Sequence, residues 1–282
     1  MIFEYYKYEA SNDFHELYDL FCLAFPNSKH LIKNPDTYQS YLHWLYLKNP
    51  LGRPVGYNAY SKGKLVGHYV CIPSSWSYEN KTYKGLLSLN TAVHPDFQRK
   101  GIFSKLAEKT YNFAQKDEYD FVYAVSNSNS THGFMKLGFS LVGKLNLQLC
   151  FLPPFKNKQD DFKKRALHRK QSDKFLNWRL NRPFTKYSKS ERRIISKSIT
   201  SIFKVISNEV DINKMGVHFK REVFPSIYFY LGSVKQKQML SVPSILRPAA
   251  FNLIYKPLSQ RSHNLGANLK DWDLDFLDFD LA

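Results

Sequence analysis

The segment from Ala92 to Phe103, AVHPDFQRKGIF, constrains this chain more than any other stretch, because it must end one kind of structure and begin another. Before it, Gly85 to Val93 reads as an apolar strand. After it, Gly101 to Lys116 places Ile102, Phe103, Leu106, Ala107, Phe113 and Ala114 on one face at helical spacing. His94-Pro95-Asp96 breaks the strand, since proline cannot donate to a ladder. A helix beginning here leaves its first N–H groups, from about Gln98 onward, without intrahelical acceptors, and the helix dipole adds positive potential at the same place. Gly101 lets a phosphate approach the backbone closely, and Arg99 and Lys100 add charge at the rim. The turn therefore reads as a pyrophosphate site. The competing reading is an ordinary strand-to-helix turn with one glycine and two solvated basic residues.

The surrounding elements give the turn its context. Phe14, Leu17, Leu20, Phe21 and Ala24 predict a helix over 13–25 with Ser11 or Asn12 at its cap, and a second helix around 38–47 must stop before Pro50. Strands follow at 55–60 and 65–72 around Ser61-Lys62-Gly63-Lys64, then the strand 85–93. Beyond the turn come the long helix, a buried strand at 121–125, a polar loop from Ser126 to Ser130, a short helix at 133–137 and a strand at 140–152. Pro153-Pro154 and the lysine-rich stretch after it read as a linker, which divides the chain into 1–155 and 156–282 with the boundary near 153–165. Trp178-Arg179 followed by Pro183 echoes Trp44 followed by Pro50 and hints at a duplicated unit. The C-terminal alternation of Asp271, Asp273, Asp275, Asp278 and Asp280 with apolar residues predicts a closing strand with one buried face. The fold class is α/β, with a mixed sheet and a second, smaller α/β unit.

Composition narrows the partners. The net charge of +17, from 41 basic against 24 acidic residues, concentrates between Lys156 and Lys197. Such a field attracts nucleotides, an anionic membrane surface or nucleic acid. Cys22, Cys71 and Cys150 are far apart and lack metal-ligand spacing, so reduced core cysteines and no metal are expected. No run of eighteen apolar residues occurs and the N-terminus has no basic, apolar leader pattern, which predicts a cytoplasmic protein.

With this order of elements, residues 5 to 152 resemble the GNAT acetyltransferase superfamily, through Gln98 and Gly101 in the loop, Asn127 or Asn129 after the next strand, and Lys136-Leu137-Gly138-Phe139. The resemblance implies acetyl-CoA as cosubstrate, attacked directly by an amine. It implies coenzyme contacts at Ala92, Val93, Gln98, Arg99, Lys100, Gly101, Ile102, Phe103, Asn127 and Phe134. Two positions depart from the pattern: Phe103 stands where a small residue is usual, and Phe134 where a proton-donating tyrosine is frequent. The strand 85–93 carries Leu86, Leu87 and Leu89 rather than a glutamate base. Asn90, which could orient a water, Tyr123 and His132 are the remaining candidates for handling the amine proton. Through Trp44 with Asn49, Pro50 and Gly52, the helix start from Gly101 to Leu106, and Trp178-Arg179 with Pro183 and Tyr187, the chain resembles a two-unit bacterial subgroup linked to surface-polysaccharide biosynthesis. That implies an anionic amino-sugar acceptor on a nucleotide or lipid carrier, with Arg165, Arg169, Arg179 and Arg182 facing the cleft. The alternatives are a non-catalytic acyl-CoA-, peptide- or nucleic-acid-binding protein of the same fold, and a tRNA-dependent aminoacyl transferase.

Overall fold

A computed structural model describes residues 2–11, 13–26, 34–151, 166–190, 193–198, 204–210 and 227–279. The predicted linker, Arg165 and Asn12 lie outside them. The chain begins with strand β1 (Glu4–Lys7), helix α1 (His15–Ala24) and helix α2 (Pro35–Leu42), which runs into a π-helical turn (His43–Leu47). Asn34 caps α2 by accepting the Thr37 N–H at 2.7 Å, and Pro35 occupies its first turn. At α1 the Asp13 carboxylate accepts the His15 N–H, and Ser11 bonds the Asp13 backbone instead of the helix. Strands β2 (Val55–Ser61), β3 (Lys64–Tyr78) and β4 (Lys81–Val93) form the expected meander. Helix α3 (Ile102–Lys116), strand β5 (Phe121–Ser126), helix α4 (Ser128–Lys136), and strands β6 (Ser140–Lys144) and β7 (Asn146–Cys150) complete the first half.

The second half holds β8 (Leu167–Arg169), α5 (Asp173–Leu180), β9 (Thr185–Ser190), β10 (Arg193–Ser198), β11 (Lys204–Glu209), β12 (Tyr228–Gly232), β13 (Leu240–Ser241), β14 (Asn252–Pro257) and β15 (Trp272–Asp273). Two mixed sheets result. One runs β1-β2-β3-β4-β5-β14-β6, with β8 and β15 joined to β3; the other runs β13-β7-β12-β11-β10-β9. Each sheet thus takes in strands from the other half of the chain: β8, β14 and β15 join the first, and β7 joins the second. Strand β14 lies between β5 and β6, and β7 lies between β12 and β13. The expected division at 1–155 and 156–282 consequently does not coincide with a division between sheets.

The exchange is symmetric. In both sheets a strand pairs parallel to its successor (β4 with β5, β11 with β12), and the successor pairs antiparallel to the exchanged strand. The tryptophan echo has the same symmetry. Trp44 Nε1 donates to the Trp178 carbonyl at 2.7 Å, Trp178 Nε1 donates to the Trp44 carbonyl at 2.9 Å, and the rings stack at 4.9 Å and 13°.

Three local expectations change. The polar stretch 126–130 is mostly helix, because the Asn127 side chain accepts the Ser130 N–H at 2.9 Å and starts α4 at Ser128. The strand 140–152 is two strands serving different sheets. The C-terminal alternation is not a long strand: β15 spans two residues, a turn follows, and Trp272 to Phe279 are buried on all sides. No described helix is long and apolar enough to cross a membrane.

Asp120 fastens the end of β5 to the segment after β14. Its buried carboxylate accepts the Lys84 N–H at 2.8 Å, the Ser259 hydroxyl at 2.9 Å and a bidentate pair from Arg261 at 2.5 and 2.6 Å. Asp120→Ala should lower the unfolding free energy by about 2–3 kcal/mol, read as a fall in the urea midpoint at constant slope, because three donors lose a buried acceptor while the half-exposed Arg261 recovers water.

Candidate functional site

The first sheet opens where β4 and β5 part. They pair at Gly85 with Phe121, Leu86 with Val122 and Leu87 with Tyr123, and no further, although β4 continues to Val93 and β5 to Ser126. Beyond Leu87 the edge of β4 is therefore free toward β5, and Ala92 and Val93 lie along it. A bulge sharpens the opening. His68 faces Ala92 and Val70 faces Leu89, so β4 has one residue more than β3 across Asn90 and Thr91, and Asn90 adopts φ 53°. A bulge at the mouth of a split re-aims the backbone N–H groups that could polarise a carbonyl placed there.

The predicted anion turn closes the far end of this edge. His94 accepts the Asp96 N–H at 3.3 Å and starts a single 3₁₀ turn, Pro95–Phe97. Gln98 Nε2 reaches back to the Val93 carbonyl at 3.4 Å, and Lys100 Nζ donates to the Asp96 carbonyl at 2.8 Å. Both side chains brace the loop, which leaves its backbone as the donor surface. Arg99 (φ 60°) and Gly101 (φ 76°) are left-handed, and α3 starts without a side-chain cap. A Cβ built at Gly101 meets nothing within 4 Å, whereas one at Gly67, beneath the helix, would lie 2.7 Å from Ile102. Ile102 is thus the buried anchor of α3, and the space above Gly101 stays open for a ligand.

The two departures from the expected pattern touch one another. Phe103 and Phe134 meet edge to face at 5.4 Å, and Phe134 packs on Phe139 at 5.1 Å. A larger residue at 103 occupies the side where α4 presents position 134, and the ring there needs no hydroxyl. Asn127 spends its side chain on the α4 cap, and His132 is exposed on α4. Tyr123 lies in the core: its hydroxyl donates to the Asp278 carbonyl at 3.0 Å and accepts from Arg169 at 2.7 Å, and burial pushes it up to about 12. A group so enclosed cannot exchange protons with a ligand in the split. Asn90 is half-buried, and its Nδ2 donates to the Tyr46 hydroxyl at 3.0 Å. Tyr46 carried no sequence signal, because it sits among the apolar residues of a segment that looks like plain helix.

The second sheet repeats the split and fills it. Strands β11 and β12 pair only at Lys204 with Tyr228 and Val205 with Phe229, and β11 also bulges opposite β10. The gap is occupied by the C-terminal segment. Asp275 accepts the Asn208 N–H at 2.5 Å, Asn208 Nδ2 donates to Asp273 at 2.7 Å, the Leu274 carbonyl accepts the Ser233 N–H at 2.9 Å, and Gly232 bridges to Asp275. Burial first, then the neighbouring Asp278 carboxylate, pushes Asp275 up to about 7. Arg169 and Arg179 serve this segment rather than a cleft. Both are buried; Arg169 pairs with Asp278, and Arg179 donates to the Phe276 and Phe279 carbonyls at 3.1 and 2.9 Å. Arg182 lies over the Tyr41 ring. The basic half therefore spends two of the four arginines on the protein itself.

Comparison with known proteins agrees with this geometry. Residues 5–142 match the family described as an acetyltransferase (GNAT) domain. No curated protein matches the chain significantly. Among solved structures, a conserved Enterococcus faecalis protein of unknown function superposes with TM-score 0.61 at 12% identity, covering 92% of this chain and 73% of that one. A GCN5-related N-acetyltransferase from Anabaena variabilis gives 0.58 at 11% identity over 92% and 73%, and one from Kribbella flavida gives 0.56 at 6% over 90% and 71%. At these identities the likeness is one of fold, and it extends through both sheets.

Proposed function

We propose that this chain, whose residues 5–142 match an acetyltransferase (GNAT) domain, is an acetyl-CoA-dependent N-acetyltransferase working in the split of the first sheet. The observation that carries the reading is the contrast between the two splits: one ends on a glycine turn with open space above it, and the other is filled by the chain itself. The backbone from Gln98 to Phe103 would hold the pyrophosphate, and the free edge at Ala92 and Val93 the pantetheine arm. When bound, the coenzyme supplies an acyl thioester already activated toward an amine. The chain's part is to hold the amine in attack geometry and keep it in place, which converts a two-body encounter into a local one.

The acceptor we infer is an amino sugar on a nucleotide or lipid-carrier phosphate in surface-polysaccharide synthesis. The net charge of +17 supports an anionic acceptor. With Arg169 and Arg179 committed to the C-terminal segment, attraction falls to the exposed cations. Proton removal is assigned to water reached from the split, with His132, exposed on α4, as the candidate base. The Phe103–Phe134 contact favours a second reading, coenzyme binding without transfer.

Titration calorimetry with acetyl-CoA should give one site per chain, not two, and no binding would sink the proposal. A screen of amino-sugar nucleotides for thiol release then separates transferase from binder. Gly101→Ala should weaken acetyl-CoA binding at least about tenfold, since a residue with Cβ resists φ 76° and its methyl group would stand in the open space, while unfolding shifts by about 1 kcal/mol.

A further inference from the structure

A line of polar side chains crosses the first sheet from β2 to the bulge of β4. The Asn58 carboxamide oxygen accepts from His68 Nδ1 at 2.7 Å. His68 Nε2 meets the Tyr46 hydroxyl at 3.2 Å, and Tyr46 accepts from Asn90 Nδ2 at 3.0 Å. Three elements supply it: β2, β3 and the π-helical turn, with Asn90 on β4.

The direction of every bond is fixed from the Asn58 carboxamide oxygen, which only accepts. The Asn58 oxygen then receives the Nδ1–H of His68, which leaves Nε2 as an acceptor and makes Tyr46 the donor. The Tyr46 oxygen accepts from Asn90, so the Asn90 carboxamide turns its nitrogen inward and its oxygen outward. His68 is fully enclosed, and burial pushes it down to about 3, consistent with a neutral ring of one tautomer. The chain does not conduct protons, because it ends on the Asn58 carboxamide. What it transmits is orientation.

Asn90 lies three residues beyond the last pair of β4 with β5, on the bulge with φ 53°, and its oxygen has no hydrogen-bond partner among the described residues. We propose that Asn58, His68 and Tyr46 form a positioning chain that holds the Asn90 carboxamide oxygen toward the split, where it accepts a hydrogen bond from the primary amine of the acceptor. The amine N–H is thereby pinned and its lone pair left free to face the thioester carbon. This role rests on the reading of the split as the transfer site; the orientation of Asn90 does not.

The test has two arms on the full-length protein. In 15N NMR of the protein saturated with coenzyme A, His68 should be the neutral Nδ1–H tautomer, and Tyr46→Phe should move the Asn90 carboxamide signals while those of Gln98 to Phe103 stay in place. Asn58→Ala, which removes the acceptor of His68 Nδ1, should move the Asn90 signals in the same direction by less. A His68 Nε2–H tautomer, or Asn90 signals indifferent to both substitutions, overturns the chain. In the transfer assay with an amino-sugar nucleotide that releases thiol, or with ethanolamine where none does, Tyr46→Phe and Asn90→Ala should each raise the amine KM about tenfold and leave acetyl-CoA binding unchanged. An unchanged amine KM in Asn90→Ala overturns the amine contact. Absence of turnover in the wild type overturns the transferase reading instead, and the NMR arm still decides the chain.

Discussion

Arg169→Leu is expected to remove about 3–5 kcal/mol of stability, more than any other single substitution outside the hydrophobic core. The guanidinium is almost wholly enclosed, with the Trp76 ring at 5.3 Å and the Phe175 ring at 4.9 Å. Its Nε meets the Asp278 carboxylate at 3.3 Å, and its Nη2 donates to the Asp278 carbonyl at 2.6 Å and to the Tyr123 hydroxyl at 2.7 Å. Leucine fills much of the volume but leaves a buried carboxylate, a carbonyl and a phenol short of a donor. Asp278 is already raised by burial, and loss of the cation that opposes that rise would drive it to bind a proton, which caps the cost. The double variant Arg169→Leu with Asp278→Asn should therefore recover part of the loss, as expected when both partners of a buried pair go together. Urea unfolding of the two variants checks both claims. A loss under about 1.5 kcal/mol for the single variant would mean that the C-terminal segment is held in the second split without this pair.

The legible parts of this protein are the ones written in short spacings. The turn at Ala92 to Phe103 could be read because Pro95 and Gly101 act on their own backbone, and the structure keeps the strand, the break and the helix where the residues put them. The tryptophan echo was readable as a spacing, and its meaning, a reciprocal pair of hydrogen bonds across an approximate two-fold, is tertiary. The exchange of β7 and β14 left no local trace, because a strand carries its period but not the identity of its neighbours. The C-terminal aspartates misled for a chemical reason. Alternation suggests a half-buried strand, but Asp275 accepts the Leu277 N–H and Asp278 accepts the Asp275 N–H, so these side chains fold the backbone into a turn that is buried throughout. Asn90 reads in the sequence as a residue that could orient a water; Asn58, His68 and Tyr46, which fix its orientation, come from three elements and no motif joins them.

The pH dependence of stability should separate two buried groups that pull in opposite directions. His68 is pushed down from 6.5 to about 3 by burial, so the folded state disfavours its protonation. The stability it lends is present above about pH 6.5 and lost as the pH falls toward 3, at about 1.4 kcal/mol per unit. Asp275 is pushed up from 3.8 to about 7, so its contribution is full below about pH 3.8 and lost as the pH rises to 7. Asp278 is raised in the same sense through the same cluster. Over the shared window, from pH 6.5 down to 4, the two slopes oppose and the wild type should change little. His68→Gln keeps one donor and one acceptor but cannot titrate, so its stability should rise on acidification. Its stability relative to the wild type should rise by about 3 kcal/mol between pH 6.5 and 4. Parallel unfolding curves for the two proteins across that window would show that His68 is not the buried neutral ring the positioning chain requires.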